Sequence, residues 1–244
     1  MFERFKHRSH EFERLDTGEY TPGEYARWQR EMKFIHGIFG EERALKNTLL
    51  RDIVKSGARR VSVLDVGAGS GGLLRQLNKW TADRETFLVG AELDAIATRS
   101  INGGSINGIQ CDALNMPFAD GSFDYVFCSL FLHHLDDVLA TKLIKEMARV
   151  AAKRIYVIDL NRHPVAFYAY RFFGWFVLQR FTLEDGALSI LRSRTPGELI
   201  EVGKKAGLSE LNVVKSRANR LVLSGTQFHY NSGQLSKMDS FDAK

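Results

Sequence analysis

From about residue 60 onward, short apolar β runs alternate with helical patterns, and that alternation leaves the chain very few architectures. The β runs are 61–66, 86–91, 107–111, 123–128 and 154–159, with helical segments at 71–80, 94–101 and 137–150 between them. Strands joined through helices run parallel, and helices on both faces bury the resulting sheet. The far end breaks the pattern. Runs 211–215 and 220–223 are separated by residues 216–219 alone, too short a link for a crossover helix, so these two strands must be antiparallel. Before them, Thr195-Pro196-Gly197-Glu198 is a capping box with proline at the first helical position, which predicts a helix to Ala206 that Gly207 ends. The fold expected is α/β: a doubly wound, mostly parallel seven-stranded sheet with a terminal antiparallel hairpin strand and an N-terminal helical cap.

The cap is read from a stripe. Pro22 opens a helical pattern in which Tyr25, Trp28, Met32, Ile35 and Phe39 recur at three- and four-residue steps; Gly40 closes it, and a second helix follows over about 41–55. Residues 1–16 are dense in charge and are expected to be poorly ordered or loosely packed. The domain boundaries that follow are 1–57 for tail and cap, 58–226 for the sheet domain, with 161–192 as a substrate-lid insertion, and 227–244 for a polar tail.

The first strand ends in Leu64-Asp65-Val66 and breaks into Gly67-Ala68-Gly69-Ser70-Gly71-Gly72 before an amphipathic helix begins. A strand that turns into a helix through glycines lets a ligand lie against bare backbone N–H groups. By itself this spacing suits several cofactors. The second strand ends in Glu92, about twenty residues on, where a carboxylate can take both hydroxyls of a ribose. The third ends Gln110-Cys111-Asp112-Ala113, where a carboxylate can accept from an exocyclic amino group such as that of adenine, and the fourth ends Cys128-Ser129-Leu130. Small and acidic residues thus gather on the carboxyl edge of the sheet, where doubly wound folds bind ligands.

Two adenosine ligands compete for that description. A dinucleotide puts its pyrophosphate on the loop and tolerates no acid close before the glycines. S-adenosylmethionine carries an ammonium and a sulfonium and no phosphate, and Asp65 beside the loop favours it. Here Leu64-Asp65-Val66-Gly67-Ala68-Gly69-Ser70-Gly71 resembles the first motif of class I S-adenosylmethionine-dependent methyltransferases. Gly90-Ala91-Glu92-Leu93 resembles their second, acidic motif, and Cys111-Asp112-Ala113 with Pro117-Phe118 their adenine-side motif. Phe123-Asp124-Tyr125-Val126 followed by Phe131-Leu132-His133-His134-Leu135 is similar to the branch with ubiquinone and menaquinone methyltransferases. The head, Arg8-Ser9-His10-Glu11 and Asp16-Thr17-Gly18-Glu19-Tyr20, and the aromatic segment after Asp159 resemble small bacterial methyltransferases encoded near type III polyketide synthases. The resemblance implies that the backbone of Gly67, Ala68, Gly69 and Gly71 passes the methionine part of the cofactor. It implies Asp65 for the ammonium, through backbone or water, Glu92 for the ribose, Asp112 with Ala113 for the adenine, Ser129 for the sulfonium end, and Leu93 as a further cofactor-binding residue.

Charge and composition narrow the partners. Residues 1–60 carry a surplus of +3, residues 61–152 of −4 and residues 153–244 of +6, within a net charge of +5. The glycine loop therefore sits in the acidic stretch. No basic run with interleaved aromatics argues for nucleic acid, and none is expected as a partner. Cys111 and Cys128 lie in apolar strand-like contexts without metal-ligand spacing, so reduced thiols, no metal and a cytoplasmic location are expected. No apolar run reaches the ~18–20 residues of a membrane span, and residues 1–10 lack the apolar region of a secretory signal.

Methyl transfer from a sulfonium asks mainly for alignment and exclusion of water, and a phenol or acidic carbon acceptor also gains from a base. His133 and His134 follow the fourth strand at the right edge of the sheet. Both fit a structural or cofactor-side role; as a base, His134 is the candidate. Segment 164–181 is apolar all round and dense in aromatics. It reads as a helix buried in a core or dimer interface, or as the lining of a pocket for a flat lipophilic acceptor, or as a peripheral membrane contact. Arg162, His163, Phe167 and Tyr170 are the candidate substrate residues. The leading expectation is a methyltransferase acting on an oxygen or carbon of a small lipophilic, aromatic, polyketide- or quinone-like acceptor. The alternatives are a non-catalytic S-adenosylmethionine-binding interaction module and a methyltransferase acting on RNA or protein. The oligomeric state is not encoded legibly.

Overall fold

A computed structural model of the chain describes residues 3–38 and 40–227. Phe39, the last position of the predicted stripe, and residues 228–244 of the predicted tail lie outside the described residues. Seven strands form one sheet: β1 (Arg60–Val66), β2 (Glu85–Glu92), β3 (Ile106–Gln110), β4 (Phe123–Ser129), β5 (Ala151–Leu160), β6 (Leu208–Ser216) and β7 (Arg220–Gln227). Their spatial order is β3-β2-β1-β4-β5-β7-β6. The pairs β1–β2, β1–β4, β2–β3 and β4–β5 are parallel, whereas β7 runs antiparallel to both β5 and β6. The predicted doubly wound sheet with a terminal hairpin is what the chain forms. Strand β7 extends to Gln227, one residue past the expected domain boundary.

The period-2 side-chain alternation of the strands divides the core between the two faces. Leu64 and Val66 of β1, Val126 and Cys128 of β4, and Leu221 and Leu223 of β7 face one layer. That layer contains α7 (Asp137–Val150) and α10 (Pro196–Lys205), through Leu143, Ile144, Met147, Leu199 and Val202. The intervening residues Val61, Val63, Tyr125, Phe127 and Val222 face the other layer. There they meet Leu74 and Leu77 of α5 (Gly72–Trp80), Ile101 of α6 (Ala95–Ile101), and Ala44, Leu45, Leu49 and Ile53 of the helical run before β1. That run comprises α3 (Glu41–Leu45), a π-helical turn (Lys46–Leu50) and α4 (Arg51–Lys55), so the second helix predicted from sequence holds an internal change of pitch.

The N-terminal segment departs from expectation. Residues 3–16, expected to be loose, are strapped to the domain. Phe5 is buried against Phe167, Ala187, Ile190 and Leu191, and Ser9 N donates to Leu191 O at 3.0 Å. A short helix α1 (Arg14–Thr17) follows, then α2 (Pro22–Ile38), where Tyr20, Tyr25 and Trp28 stack in series and Tyr20 also stacks on Phe181. The expectation failed because charge density was read as solvation; Arg8, Glu13 and Asp16 instead pair with partners more than a hundred residues away.

Between β5 and α10 lie α8 (Pro164–Gly174) and α9 (Arg180–Arg192). Gly174, the last residue of α8, leaves room for the Leu183 side chain: a Cβ there would stand 2.7 Å from Leu183 Cδ1. Tyr170 Oη donates to Thr182 O at 2.8 Å, in the space that Gly186 leaves open. At the start of α10, Thr195 N donates to Glu198 Oε2 at 2.8 Å and Glu198 N to Thr195 Oγ1 at 3.4 Å, the reciprocal pair that the capping box predicts.

Candidate active site at the carboxyl edge of the sheet

Three glycines between β1 and α5 take positive φ: Gly67 at 71°, Gly69 at 53° and Gly71 at 77°. A residue with a Cβ is strained in that region, which accounts for glycine at each of them. Gly67 N and Ala68 N both donate to Ala91 O, at 2.9 and 3.1 Å, so the loop folds across the end of β2. The approach is close enough that a Cβ on Gly90 would meet Ala68 Cβ at 2.9 Å. Glu92 then ties the loop from the side. Its Oε2 accepts from Gly69 N at 2.8 Å, and its Oε1 accepts from Leu93 N at 2.8 Å and Asp94 N at 3.3 Å.

Asp65 lies buried one strand away, level with Gly90. Burial pushes its carboxyl well above the usual range, and the charge of Glu92 pushes it further. At the end of β3, Asp112 is exposed and its Oδ1 accepts from Leu114 N at 2.8 Å, which folds Ala113 into a tight turn on the same edge. Ser129 closes β4 with a buried Oγ that has no hydrogen-bond partner, and Leu130 after it takes a φ of 52°. A non-glycine residue in that region is backbone strain held by its surroundings. Leu93, a cofactor-binding candidate by the family resemblance, is largely exposed.

This edge suits a cationic adenosine ligand. The neighbour that acts on buried Asp65 is another carboxylate, so a bound positive charge would relieve both burial and repulsion. An orphaned hydroxyl at Ser129 and three loop positions with no side chain give the ligand room and a donor. The residues therefore fit S-adenosylmethionine: Asp65, Glu92, Asp112, Ala113, Ser129 and the loop would hold it.

Next to this edge, the Leu132–His134 turn presents two histidines, each held by its own carboxylate. His133 is buried; its backbone N donates to Asp159 Oδ2 at 2.8 Å and its Nδ1 meets Asp159 Oδ1 at 2.7 Å. Burial alone would push the Asp159 carboxyl up, but the charge and hydrogen bond of His133, with a bond from Leu160 N, hold it below the usual range. His134 is partly exposed, and its Nδ1 meets Asp16 Oδ1 at 3.1 Å. Asp16 is likewise held low: hydrogen bonds from His134 and Arg192 outweigh its partial burial. The two imidazoles lie 4.2 Å apart, centre to centre. Glu13 is buried beside them, accepting from Ser189 Oγ at 2.9 Å, and burial pushes its carboxyl up to about 7 against the pull of His134, Ser189 and Arg192.

Three arginines hold the turn by its carbonyls. Arg8 Nη2 donates to His133 O and Leu135 O, at 3.2 and 2.9 Å. Arg192 Nη2 reaches His134 O at 3.0 Å, and Arg194 donates to Leu132 O, Leu135 O and Asp136 O at 2.9, 3.1 and 3.2 Å. Hydrogen bonds from a charged donor are worth roughly 1.5–3 kcal/mol each, so these contacts anchor the histidine turn firmly.

Of the candidate substrate residues, two are corrected. Arg162 is buried and donates to Phe5 O at 3.0 Å, Ser193 O at 2.9 Å and the Glu198 carboxylate, so it fastens the N-terminal strap. Phe167 is 1% exposed and packs the small core under that strap. Tyr170 is engaged with Thr182, as above, while His163 is exposed at the N-terminus of α8. The sequence reading missed Glu13, Asp16, Asp159, Arg192 and Arg194. Asp159 carried the same signal as Glu92 and Asp112, an acid closing a strand; the others carried none, because their partners are remote in sequence. Away from the histidines, Phe172, Phe173, Trp175, Phe176 and Val177 are each 61–73% exposed. Phe34, Val177 and Leu178 share a groove there with Arg27 and Arg30.

Residues 63–154 match the protein family described as Methyltransferase domain. A demethylmenaquinone methyltransferase of Roseiflexus sp. (strain RS-1) is 33% identical over 125 residues, which cover 48% of this chain and 49% of that protein. A cycloartenol-C-24-methyltransferase of Oryza sativa subsp. japonica is 30% identical over 149 residues, 56% of this chain and 40% of that protein. The chain thus spans about half or less of these curated relatives. A solved S-adenosylmethionine-dependent methyltransferase from Aquifex aeolicus superposes with a TM-score of 0.53 at 16% identity, covering 79% of this chain and 96% of the other, a likeness of fold.

Proposed function

We infer that this chain is a class I S-adenosylmethionine-dependent methyltransferase that moves a methyl group to an oxygen or carbon of a small lipophilic acceptor, a reading supported by the matched methyltransferase domain and the shared fold. The observation that carries the reading is the carboxyl edge itself: a backbone-lined loop tied by Glu92 beside a buried acid whose neighbour is a second acid. When bound, S-adenosylmethionine supplies an electrophilic methyl on a sulfonium that leaves as a neutral thioether. Asp65 holds its ammonium, directly or through water. Glu92 takes the ribose hydroxyls while keeping its hold on Gly69, Asp112 and Ala113 border the adenine, and Ser129 sits at the sulfonium end.

The acceptor's proton goes to a histidine. Asp16 holds Nδ1 of His134 and so leaves Nε2 to take it, and the ring's partial exposure lets an acceptor reach that nitrogen. The lipophilic class is supported by the relatives, whose names specify a menaquinone precursor and a sterol. It is also supported by the exposed aromatic turn at 172–177, which would rest on a lipid surface and take up an acceptor dissolved there. Calorimetry with S-adenosylmethionine, S-adenosylhomocysteine and NAD tests the cofactor; NAD binding alone would overturn the reading. Transfer of a labelled methyl group to a panel of phenols and naphthoquinones, without and with lipid vesicles, tests the acceptor class.

A further inference from the structure

The fold brings together three metal-ligating side chains that lie far apart in the sequence. Donor atoms of Glu13, His133 and His134 all lie within 4.8 Å of one another, and the three residues are buried or partly buried. Two further carboxylates finish the arrangement: Asp159 occupies Nδ1 of His133 and Asp16 occupies Nδ1 of His134. Each ring is thereby left with Nε2 as its free donor. An imidazole whose second nitrogen is fixed by a carboxylate is the usual setting of a metal-bound histidine, because the outer carboxylate sets the ring's orientation and raises its basicity.

We propose that Glu13, His133 and His134 form a site for one divalent cation of the zinc class, with Asp159 and Asp16 as its outer carboxylates. Two imidazoles and one carboxylate make the borderline nitrogen–oxygen set that zinc, cobalt and nickel prefer over magnesium or calcium. Tetrahedral bonds of about 2.0–2.2 Å place donors about 3.3–3.6 Å apart, so donor atoms that lie within 4.8 Å of one another must draw closer to hold an ion. Local charge favours it. Glu13, Asp16 and Asp159 surround the two imidazoles, while Arg192 contacts Glu13 Oε1 at 3.4 Å and also pairs with Asp16. Arg8 and Arg194 are drawn off to backbone carbonyls and to Asp137. Three protein ligands leave a fourth position open, which suits an oxygen of a small molecule better than a closed structural role.

An ion on Nε2 of His134 would occupy the nitrogen assigned above as the base, so metal binding and methyl transfer compete there and Zn²⁺ is expected to inhibit transfer; the binding test itself needs neither cofactor nor acceptor. Untagged protein, stripped with chelator, is titrated with Co²⁺ and followed by visible absorption, and with Zn²⁺ followed by calorimetry. One ion per chain and a d–d band of four-coordinate intensity are expected. Glu13→Gln, nearly isosteric, is expected to weaken Zn²⁺ binding at least tenfold, and Asp16→Asn to weaken it about ten- to a hundredfold, the usual effect of losing an outer carboxylate. His134→Gln, at the partly exposed position, serves if the Glu13 variant fails to fold by circular dichroism. Absence of both the band and stoichiometric Zn²⁺ binding in the unmodified protein overturns the proposal. So does binding that survives unchanged in Glu13→Gln or His134→Gln.

Discussion

Asp65 ought to make cofactor affinity depend on pH in a way no other residue of the edge would. Its carboxyl is buried, raised well above the usual range first by that burial and then by Glu92. In the ligand-free chain it therefore keeps its proton at pH values where an exposed aspartate has lost it. An ammonium group placed beside it favours the ionised form, so binding expels a proton. Affinity must then rise with pH, by at most about tenfold per unit, between the carboxyl's bound and free pKa values. Each unit by which the ligand lowers that pKa adds about 1.4 kcal/mol of binding above the free value. The useful window lies above about pH 5 and below the α-amino pKa of roughly 7.7–8.0, so the ligand's ammonium stays mostly protonated across it. Calorimetry in two buffers of different ionisation enthalpy measures the released proton directly. Asp65→Asn should abolish both the slope and the buffer dependence, weakening binding at pH 7.5 far more than at pH 5. The same change should stabilise the ligand-free protein at neutral pH. A carboxyl with a raised pKa binds more protons folded than unfolded, so it loses stability as pH rises from its unfolded pKa toward its folded one. A flat affinity profile in the unmodified protein, or an unchanged slope in Asp65→Asn, would refute the reasoning.

Gly69→Val should cost roughly 1–2 kcal/mol of stability through its positive φ alone, since no neighbour lies within 4 Å of the added Cβ, and should weaken cofactor binding more than tenfold. Gly108→Ala tests space rather than angle: its Cβ would stand 2.5 Å from Thr98 O, so a loss of about 1–3 kcal/mol, a few degrees in Tm, is expected with the loop intact. His134→Ala should lower kcat at least tenfold while leaving the Kd for S-adenosylhomocysteine within twofold; equal turnover would remove it as the base. Phe173→Ser with Phe176→Ser should leave Tm unchanged, because both side chains are exposed, yet reduce sedimentation with lipid vesicles. Unaltered vesicle binding would count against the lipid contact.

The architecture was legible because period-2 runs and glycine punctuation are local signals. Strands β1, β2, β4 and β5, the antiparallel end and the capping box at Thr195 all fell within a few residues of their observed bounds. The gathering of Asp65, Glu92 and Asp112 was legible for the same reason: each lies within two residues of a strand's carboxyl end, and parallel topology carries those ends to one side. What stayed hidden depends on long-range pairing. Arg8 and Asp16 looked like solvated charges, but the fold sets them against residues 133–137 and 192. Arg162 and Phe167 sat in a segment whose composition suggested a pocket. Composition could not show that the N-terminal strap would claim them first, with Phe5 filling the space beside Phe167.

The order of strands in the sheet also bears on how the domain is made. Among the described residues strand β7 is the last in chain order, yet it lies between β5 and β6. Until it has left the ribosome, β5 and β6 each present an open edge of unpaired N–H and C=O groups, and β5 is a buried apolar strand. A chain arrested before Arg220 is therefore a sticky species rather than a smaller working domain, and completion of the sheet waits on the final hairpin. Nascent chains of this protein should thus engage holdase chaperones until residues 220–227 emerge, and stop codons just upstream should yield aggregates even though the whole cofactor edge has already been made.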